Sequence, residues 1–293
     1  MIQYIKRENI DVAKYDVCIE NSIQSRIYAY SWYLDIVADN WGVLVLNDYE
    51  AVMPIPWRVK YFIKYVSQPD FCQQLGVFSK KEISEILQKK MTQEIPNKFL
   101  KVILNFNSAN FSTPKMKLRK NYVLELNTDY SRILKSFSKG RKHAVKKSEK
   151  NHLYIKNTTI IELIKMKREF YKHETFSSEI IERLSYYLLS NKKGFILGVY
   201  KEEALLGGGL FLKSNNRITY LFSSFNSEGR KLQAASFLIN NIIKRYVNSN
   251  FVLDFEGGNL PNIGSFFKSF GSKNEMYYQL ENNSLLNLLR LKK

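Results

Sequence analysis

Residues 194–213, 218–247 and 251–271 decide the fold of this chain. They read GFILGVYKEEALLGGGLFLK, ITYLFSSFNSEGRKLQAASFLINNIIKRYV and FVLDFEGGNLPNIGSFFKSFG. The apolar patterns predict two strands joined by a tight turn, a third strand, a loop, a long amphipathic helix, a further strand and a Gly-Gly turn. This order brings a parallel strand back beside an antiparallel set. The segment therefore predicts a mixed sheet flanked by helices.

The length and charge of the chain limit the classes of protein to which it can belong. At 293 residues, 45% of them hydrophobic, the chain is long enough for two globular domains of roughly 100–200 residues each. Its 45 Lys and Arg against 27 Asp and Glu leave a formal net charge of +18. Such a charge attracts polyanions: nucleic acid, anionic lipid headgroups or phosphorylated cofactors. The alternative is a compositional bias, because Lys, Asn, Ile, Tyr and Phe are all abundant.

Metal binding, disulfides and membrane spans are not expected. Cys18 and Cys72 form no CxxC pair, and His143, His152 and His173 are scattered, so no metal site is predicted. The opening residues, MIQYIKRENI, contain no apolar run after their charges, unlike a secretory signal. No stretch approaches about 18 uncharged apolar residues. These features predict a cytoplasmic protein without a bound metal.

The chain is expected to contain two copies of one fold. The patterns predict helices at 22–39, Ser79–Met91, 128–151, 158–173 and 177–190, a hairpin at 41–58, and strands at 61–67, 72–79, 99–105, 120–126 and 152–156. The hairpin residues Leu44–Ala51 are echoed 153 positions later by Leu197–Ala204, an offset close to half the chain. The alternative is a chance similarity between two hairpins.

Several short motifs together resemble one known family. They are Gly207–Gly209, Tyr220–Ser224, Asn226–Gln233, Asp254–Asn259 and Phe266–Gly271, preceded by the basic segment Ser138–Lys147. The pattern resembles the GNAT acyltransferases, and more closely their tandem branch, the Fem-type peptidyltransferases and related acetyltransferase-like proteins of polysaccharide and cell-envelope pathways. The resemblance covers residues 130–280 well and 25–125 weakly.

The resemblance implies an α/β protein of two tandem GNAT-like units, each a mixed, mostly antiparallel sheet flanked by helices. The expected domains are 1–127, a structural unit, and 128–293, a catalytic unit. The first is expected to be structural because Pro54 and Pro56 stand where the second has glycines.

The start of the long helix is the expected donor site. A helix N-terminus presents unpaired N–H groups and a positive dipole, so the phosphates of acetyl-CoA or another acyl-CoA could dock there. We expect Gly229, Arg230, Lys231 and Gln233 to contribute to this site. The resemblance further implies that two neighbouring strands part near residue 222. The backbone of Phe222, Ser223 and Ser224, exposed there, would then polarise the thioester or ester carbonyl. The alternative is an ordinary capped helix start.

Two carboxylates, Asp254 and Glu256, are the candidate proton acceptors. They alternate with apolar residues at the end of a strand, so they are expected on one face. Either could accept a proton from an attacking amine or hydroxyl, and Glu256 is favoured because it lies nearer the mouth of the cleft. The alternative is that Asp254 caps a backbone turn or pairs with a lysine.

Three further residues are candidates for acceptor binding: Gly208, Gly257 and Asn259. A glycine inside a strand usually marks a bulge or a close approach, so Gly208 could leave room for the acceptor. Gly257 allows a substrate-lined turn. The alternative is a strand-to-helix turn in which Asn259 is the N-cap and Pro261 lies early in the helix.

The segment 135–150 carries seven Lys or Arg against the single acid Glu149. As a helix it could follow tRNA phosphates or rest on anionic lipid headgroups, which would make tRNA or a peripheral membrane a partner. The alternative is a solvated face. The tail Ser284–Lys293 is expected to form an amphipathic helix that packs on the body or contacts lipid.

The sequence thus predicts an acyltransferase that moves an acyl group from acyl-CoA to an amine or hydroxyl of a small molecule or an envelope precursor. One alternative is an aminoacyl-tRNA-dependent Fem-like peptidyltransferase, favoured by the positive charge and by the lack of a glycine-rich pyrophosphate turn. The other is a non-catalytic, polyanion-binding scaffold on a degenerate GNAT fold.

Overall fold

The computed structural model describes residues 1–114, 116–171 and 176–283. The described strands are β1 Ile2–Lys6, β2 Asn40–Leu46, β3 Ala51–Lys60, β4 Ile63–Val66, β5 Phe78–Ser79, β6 Lys101–Phe106, β7 Met116–Glu125, β8 Tyr154–Asn157, β9 Gly194–Lys201, β10 Ala204–Ser214, β11 Arg217–Phe225, β12 Val252–Asp254 and β13 Lys273–Asn283. The described α-helices are α1 Val12–Glu20, α2 Ser31–Val37, α3 Glu85–Gln93, α4 Tyr130–Ser136, α5 Lys139–Lys150, α6 Ile160–Phe170, α7 Ser178–Ser190, α8 Ser227–Lys231, α9 Ala234–Tyr246 and α10 Pro261–Lys268.

The chain divides into two compact units. The first unit is Met1–Arg119 with Met276–Lys293, and the second is Lys120–Glu275. The domain limits expected from the sequence, 1–127 and 128–293, refer to GNAT-like repeats and stay a prediction. The tail helix expected at 284–293 lies outside the described residues, and so does His173.

The two units share one strand connectivity, which confirms the predicted α/β class with mixed, mostly antiparallel sheets. The first unit has the strand order β1-β2-β3-β4-β6-β13, with β5 beside β3. Its only described parallel strand pair is β4 with β6, at Val66 opposite Val102. The second unit has the order β8-β9-β10-β11-β12-β7, and its described parallel pair is β11 with β12. In each unit the fourth and fifth strands are therefore the parallel ones.

Three predicted helices are wrong in their extent because polar side chains cap the backbone inside them. The helix expected at Ser79–Met91 begins only at Glu85, since Ser84 accepts from the N–H of Leu87 (3.1 Å). The segment expected as one helix at 22–39 contains a short 3-10 turn and α2, since Asp16 accepts hydrogen bonds from the N–H (2.8 Å) and Oγ (2.6 Å) of Ser31. The segment expected as one helix at 128–151 is broken at Phe137. Its neighbour Ser138 caps α5 by accepting from the N–H of Arg141 (3.2 Å).

The core of the second unit lies between its sheet and α9. Eight of the thirteen residues of α9 are buried, among them Leu238, Ile239 and Ile242. They pack with buried side chains of the strands, including Phe211 and Leu253. This burial fixes α9 against the sheet, so its first turn has a defined position beside the end of β11.

Candidate active site

The open edge of β11 is the central feature of the second unit. β11 and β12 pair only over three residues, from Arg217 to Thr219 of β11. β11 continues to Phe225 along β10, whereas the chain after β12 turns toward β7, where the N–H of Phe255 donates to the carbonyl of Tyr122 (3.0 Å). The edge of β11 beyond Thr219 therefore has no strand partner in the part of the chain that the structure describes. The predicted parting is confirmed, and it begins just before residue 222.

A buried ion cluster lies at the point where the two strands part. Arg217 donates to Asp254 (2.6 Å) and to Glu275 (2.9 Å). The Asp254 carboxylate is only 1% exposed. Burial alone would lower the pKa of Arg217, but the attraction and hydrogen bonds of the two carboxylates outweigh burial and raise that pKa. The cluster ties the start of β11 to the end of β12 and so holds the base of the opening.

A second set of hydrogen bonds directs the chain away from β11 after Asp254. The Asp254 Oδ1 accepts from the side chain of Asn121 (2.9 Å) and from the N–H of Glu256 (2.8 Å). The Oδ1 of Asn121 accepts from the N–H of Gly257 (3.0 Å). These bonds satisfy backbone donors that a continued β12 would offer to β11. Asp254 thus accepts three hydrogen bonds, two from side chains and one from the backbone. A carboxylate held by three donors suits the role of a positioning residue better than that of a proton acceptor.

Glu256 lies at the opening but not on β12. The strand ends at Asp254, and Glu256 has a left-handed backbone with φ of 52°. The expectation that period two places both carboxylates on one face of the strand is therefore wrong. Glu256 is half-buried, and its role as proton acceptor stays a prediction.

The strand β11 carries a bulge beside its open edge. Leu210 of β10 lies opposite Phe222, but the next residue of β10 lies opposite Tyr220, so Leu221 is an extra residue on β11. Farther along, the Oγ of Ser224 is buried without a hydrogen-bond partner in the described part of the chain. Burial is the main cause that raises the pKa of Tyr220. An unsatisfied hydroxyl on this strand is a candidate contact for a bound molecule.

The predicted donor loop has a different local structure from the expected one. Residues 227–231 form the short helix α8, and Gln233 adopts a left-handed backbone (φ 63°) before α9 begins at Ala234. The side chain of Gln233, the N-cap residue of α9, forms no capping hydrogen bond. Since α9 is thirteen residues long, its free N–H groups present a positive dipole end at Gln233.

A cavity of about 310 Å³ lies at this helix start. It is lined by Gly140, Arg141, His143, Ala144, Lys147 and Gln233. Arg141 donates to Ser269 (2.8 Å) and to Ser236, and its guanidinium carbon lies 4.2 Å from the ring centre of Phe266. Burial lowers the pKa of Arg141 to about 10, so it is charged at neutral pH. No carboxylate of the described residues pairs with Arg141, which leaves the cavity electropositive.

The residues Arg230 and Lys231 do not line this cavity. Arg230 lies over the ring of Tyr171 (5.3 Å) and donates to Ser227 (3.3 Å). Gly229 is buried, and its N–H donates to Asn226 (2.7 Å) as part of the cap of α8. Of the predicted donor-loop residues the structure brings Gln233 to the cavity, and the donor contacts of the others stay predictions.

The predicted acceptor residues have structural explanations of their own. A side chain at Gly208 would place its Cβ 2.3 Å from the carbonyl oxygen of Leu197, so the close approach of β9 requires glycine there. Asn259 accepts from the N–H of Lys120 (3.0 Å) rather than capping α10, whose N-cap is Leu260. The N-cap expected at Asn259 is therefore wrong. Acceptor contacts by Gly208, Gly257 and Asn259 stay predictions.

Sequence reasoning missed the cationic lining of the cavity. Arg141 and Lys147 belong to the basic segment 135–150, for which the sequence left tRNA, lipid headgroups and solvent as alternatives. The spacing of Arg141 with the buried residues Val145 and Ser148, four and seven positions later, could have shown that Arg141 points inward.

The part of the chain that the structure describes contains no cluster of three His, Cys, Asp or Glu side chains that could hold a metal ion. Within the same residues, no helix is both long and apolar enough to span a bilayer.

Comparison with known proteins adds fold-level similarity. No family model matches the chain, and no curated protein matches it. Among solved structures, FemX is similar with a TM-score of 0.69 and 11% identity, covering 98% of this chain and 99% of FemX. The C-terminal domain of a candidate lysylphosphatidylglycerol synthetase from Agrobacterium fabrum is similar with a TM-score of 0.53 and 10% identity, covering 96% of this chain and 95% of that domain. A tandem GNAT protein from the clavulanic acid biosynthesis pathway is similar with a TM-score of 0.51 and 9% identity, covering 96% of this chain and 98% of that protein. The chain has a tandem GNAT-like fold that is similar to the fold of FemX.

Proposed function

We propose that the chain is an acyltransferase that moves an acyl group from an activated donor with phosphates to an amine or hydroxyl acceptor. The observation that carries this proposal is the open edge of β11 beside the uncapped start of α9. An open strand edge can bind an extended molecule through main-chain hydrogen bonds, and a helix start binds phosphate. One extended donor could use both features.

The donor phosphates are proposed to bind in the cavity at Gln233. Arg141 and Lys147 supply positive charge there, and the first N–H groups of α9 supply donors. The reactive carbonyl would then lie along Phe222–Ser224, where N–H groups of the open edge, or the Ser224 hydroxyl, can polarise it. These groups stabilise the charge that develops on the carbonyl oxygen as the acceptor attacks.

Glu256 is proposed to take the proton of the attacking amine or hydroxyl. It follows the last residue of β12 by two positions, just after the point where β11 and β12 part. Asp254 then acts as a positioning residue, since its bond to the N–H of Glu256 fixes the backbone of the base (2.8 Å). Glu256→Gln should lower turnover without changing the unfolding temperature.

Acyl-CoA is the proposed donor, and aminoacyl-tRNA is a second candidate that α5 favours. Lys139, Lys142, Lys146, Lys147 and Lys150 are all exposed on this helix. The acid of this helix, Glu149, pairs with Lys244 (2.8 Å). A pyrophosphate needs only the cations that line the cavity, whereas the other lysines of α5 could follow an RNA backbone.

The acceptor is proposed to be a small molecule or an envelope precursor, and the protein to act in the cytoplasm. Similarity to FemX and to a candidate lysylphosphatidylglycerol synthetase domain supports a role in envelope chemistry. Gly208, Gly257 and Asn259 remain candidate acceptor contacts. A polyanion-binding scaffold without transfer activity is the outcome that would overturn the proposal.

The proposal can be tested with one donor panel and one matched pair of variants. Thermal unfolding is measured with acyl-CoAs, with aminoacyl-tRNA and with inorganic polyphosphate. Stabilisation by acyl-CoA, with release of free CoA upon addition of an amine, supports the first donor, and transfer from aminoacyl-tRNA supports the second. Lys147→Gln should weaken donor binding about tenfold, whereas Lys146→Gln, on the same helix but outside the cavity, should not. Equal stabilisation by all polyanions without transfer would contradict the proposal.

A further inference from the structure

The hairpin of β3 and β4 in the first unit ends in two exposed aromatic residues. The strands pair as far as Lys60 opposite Ile63, so Tyr61 and Phe62 form a two-residue turn. Tyr61 is 82% exposed and Phe62 is fully exposed, at 101%. Val59, on the adjoining strand, is 52% exposed. A large apolar surface thus projects into solvent at the tip of this hairpin.

The backbone of the turn gives no reason for aromatic residues. Tyr61 and Phe62 both have positive φ, at 50° and 63°. A turn of this kind favours Asn and Gly, whereas positive φ is unfavourable for a bulky side chain. The two rings therefore oppose the local backbone preference and remain almost wholly exposed. A role outside folding explains why they stand at this position.

Cations surround the base of the tip. The Nζ of Lys60 lies 5.4 Å from the ring centre of Tyr61. The Nζ of Lys64 lies 5.4 Å from the ring of Trp57 at the hairpin base. Neither lysine forms an ion pair within the described residues. Apolar rings at the tip and unpaired ammonium groups behind them make the hairpin amphipathic along its length.

The lysine charge extends into a cavity of about 460 Å³ at the base of the hairpin, lined in part by Trp57, Lys64 and Lys98. Burial, and repulsion from Lys64 and Lys6, lower the pKa of Lys98. The carboxylates that line the cavity have other cations as partners: Glu8 with Lys6 (3.6 Å), Asp35 with Arg7 (2.8 Å) and Asp39 with Arg58 (3.4 Å). A bound anion would relieve the repulsion at Lys98.

We propose that the β3–β4 hairpin docks the protein on an anionic lipid bilayer, with Tyr61 and Phe62 inserted among the headgroups and Lys60, Lys64 and Lys98 on lipid phosphates. Tyr and Lys are typical of membrane–water interfaces, and polybasic segments bind anionic leaflets. Lys is depleted at protein–protein interfaces, and the tip is convex where a protein partner would require a complementary groove. The inference rests on the first unit alone and does not depend on the proposed transfer reaction.

Vesicle binding tests the proposal directly. The protein should sediment with vesicles of phosphatidylcholine that contain phosphatidylglycerol and bind much more weakly to phosphatidylcholine alone. The double variant Y61N/F62G, which suits the turn better, should fold with an equal or higher unfolding temperature and bind at least tenfold more weakly. Tyr186→Ser, at a 75% exposed tyrosine on α7, is the matched control and should bind normally.

Charge variants separate the contribution of the lysines to vesicle binding from the contribution of the aromatic rings. Replacing Lys60 and Lys64 with Gln should weaken binding to anionic vesicles by about fivefold per lysine and reduce its salt dependence. The matched control replaces Lys89 and Lys90, two exposed lysines of α3 in the same unit. It should leave vesicle binding close to that of the wild type.

A probe at the tip tests insertion. Cys18 and Cys72 are both buried, so an environment-sensitive dye should label Phe62→Cys selectively. Its emission should shift to the blue with anionic vesicles and should not shift with soluble glycerol phosphate. Absence of vesicle binding, unchanged binding by Y61N/F62G, or an unshifted dye would each overturn the proposal. So would binding to an oligonucleotide but not to vesicles.

Discussion

Replacing Asp254 with asparagine tests the reasoning about the ion cluster most sharply. The carboxylate is 1% exposed and accepts from Arg217 (2.6 Å) through one oxygen. Its other oxygen accepts from Asn121 (2.9 Å) and from the N–H of Glu256 (2.8 Å). All of its neighbours in this network are donors. In either orientation, the side-chain amide nitrogen that Asp254→Asn introduces would therefore face a donor.

The expected cost follows from this geometry. Removing one partner of a buried ion pair costs about 3–5 kcal/mol, because a buried charge is left unpaired. Here Glu275 still accepts from Arg217 (2.9 Å), which places the expected loss of unfolding free energy near the lower limit, about 3 kcal/mol. This loss corresponds to a change of roughly 150-fold in the folding equilibrium constant.

The assay is urea unfolding followed by far-UV circular dichroism at low and at high salt. The matched control is Glu125→Gln, which breaks an exposed ion pair with Lys273 (3.2 Å; side chains 73% and 51% exposed for Lys and Glu). The control should change stability by less than about 0.5 kcal/mol, and any effect should fade with salt. The Asp254→Asn effect should persist at high salt. A loss below about 1 kcal/mol, or one no larger than that of the control, would refute the account of the cluster.

Three further predictions concern the two units. Glu162→Ala should cost about 1 kcal/mol at pH 7, because the carboxylate completes the capping box of α6 with Thr159. Hydrogen bonds from Thr159 and Thr158 lower the pKa of Glu162 below its usual range, so this stability is present at neutral pH and is lost as pH falls through that lowered pKa. A pH series of unfolding temperatures should therefore show the variant and the wild type converging in acid. Gly258→Ala should destabilise by about 1–3 kcal/mol in a thermal melt, since Gly258 has φ of 146° and an added Cβ would lie 2.5 Å from the ring of Tyr122; an unchanged melting temperature would contradict that geometry. Burial raises the pKa of Cys18 to about 11, so alkylation at pH 8 should be slow in the folded protein and complete in denaturant, and rapid labelling of the folded chain would count against its burial.

The strands and long helices of the second unit were predictable because their patterns are local. The hairpin of β9 and β10 and the amphipathic run of α9 are visible in apolar periodicity alone. The break between α8 and α9 was not predictable from the sequence, because it depends on the left-handed backbone of Gln233. The break before α5 was missed likewise, since it is stabilised by the bond from Ser138 N–H to the carbonyl of Ser269, far away in sequence (2.9 Å).

The candidate site was predictable in place but not in detail. The order of the elements, together with the resemblance to the GNAT acyltransferases, located the opening of β11. The functions of individual side chains depended on contacts between distant segments. Asp254 could not be recognised as an ion-cluster residue without Arg217 and Glu275, and Arg141 could not be assigned to the cavity without the position of α9.

Amide hydrogen exchange on β11, with and without donor, tests most directly the claim that the open edge of this strand binds the donor. The free protein should exchange quickly at the amides of Tyr220–Phe225 that face the opening and slowly at those bonded to β10, and the proposed acyl-CoA or aminoacyl-tRNA donor should slow the fast set. Slow exchange at every one of these amides in the free protein, as in a continuous sheet, or fast exchange unchanged by a bound donor, would contradict it.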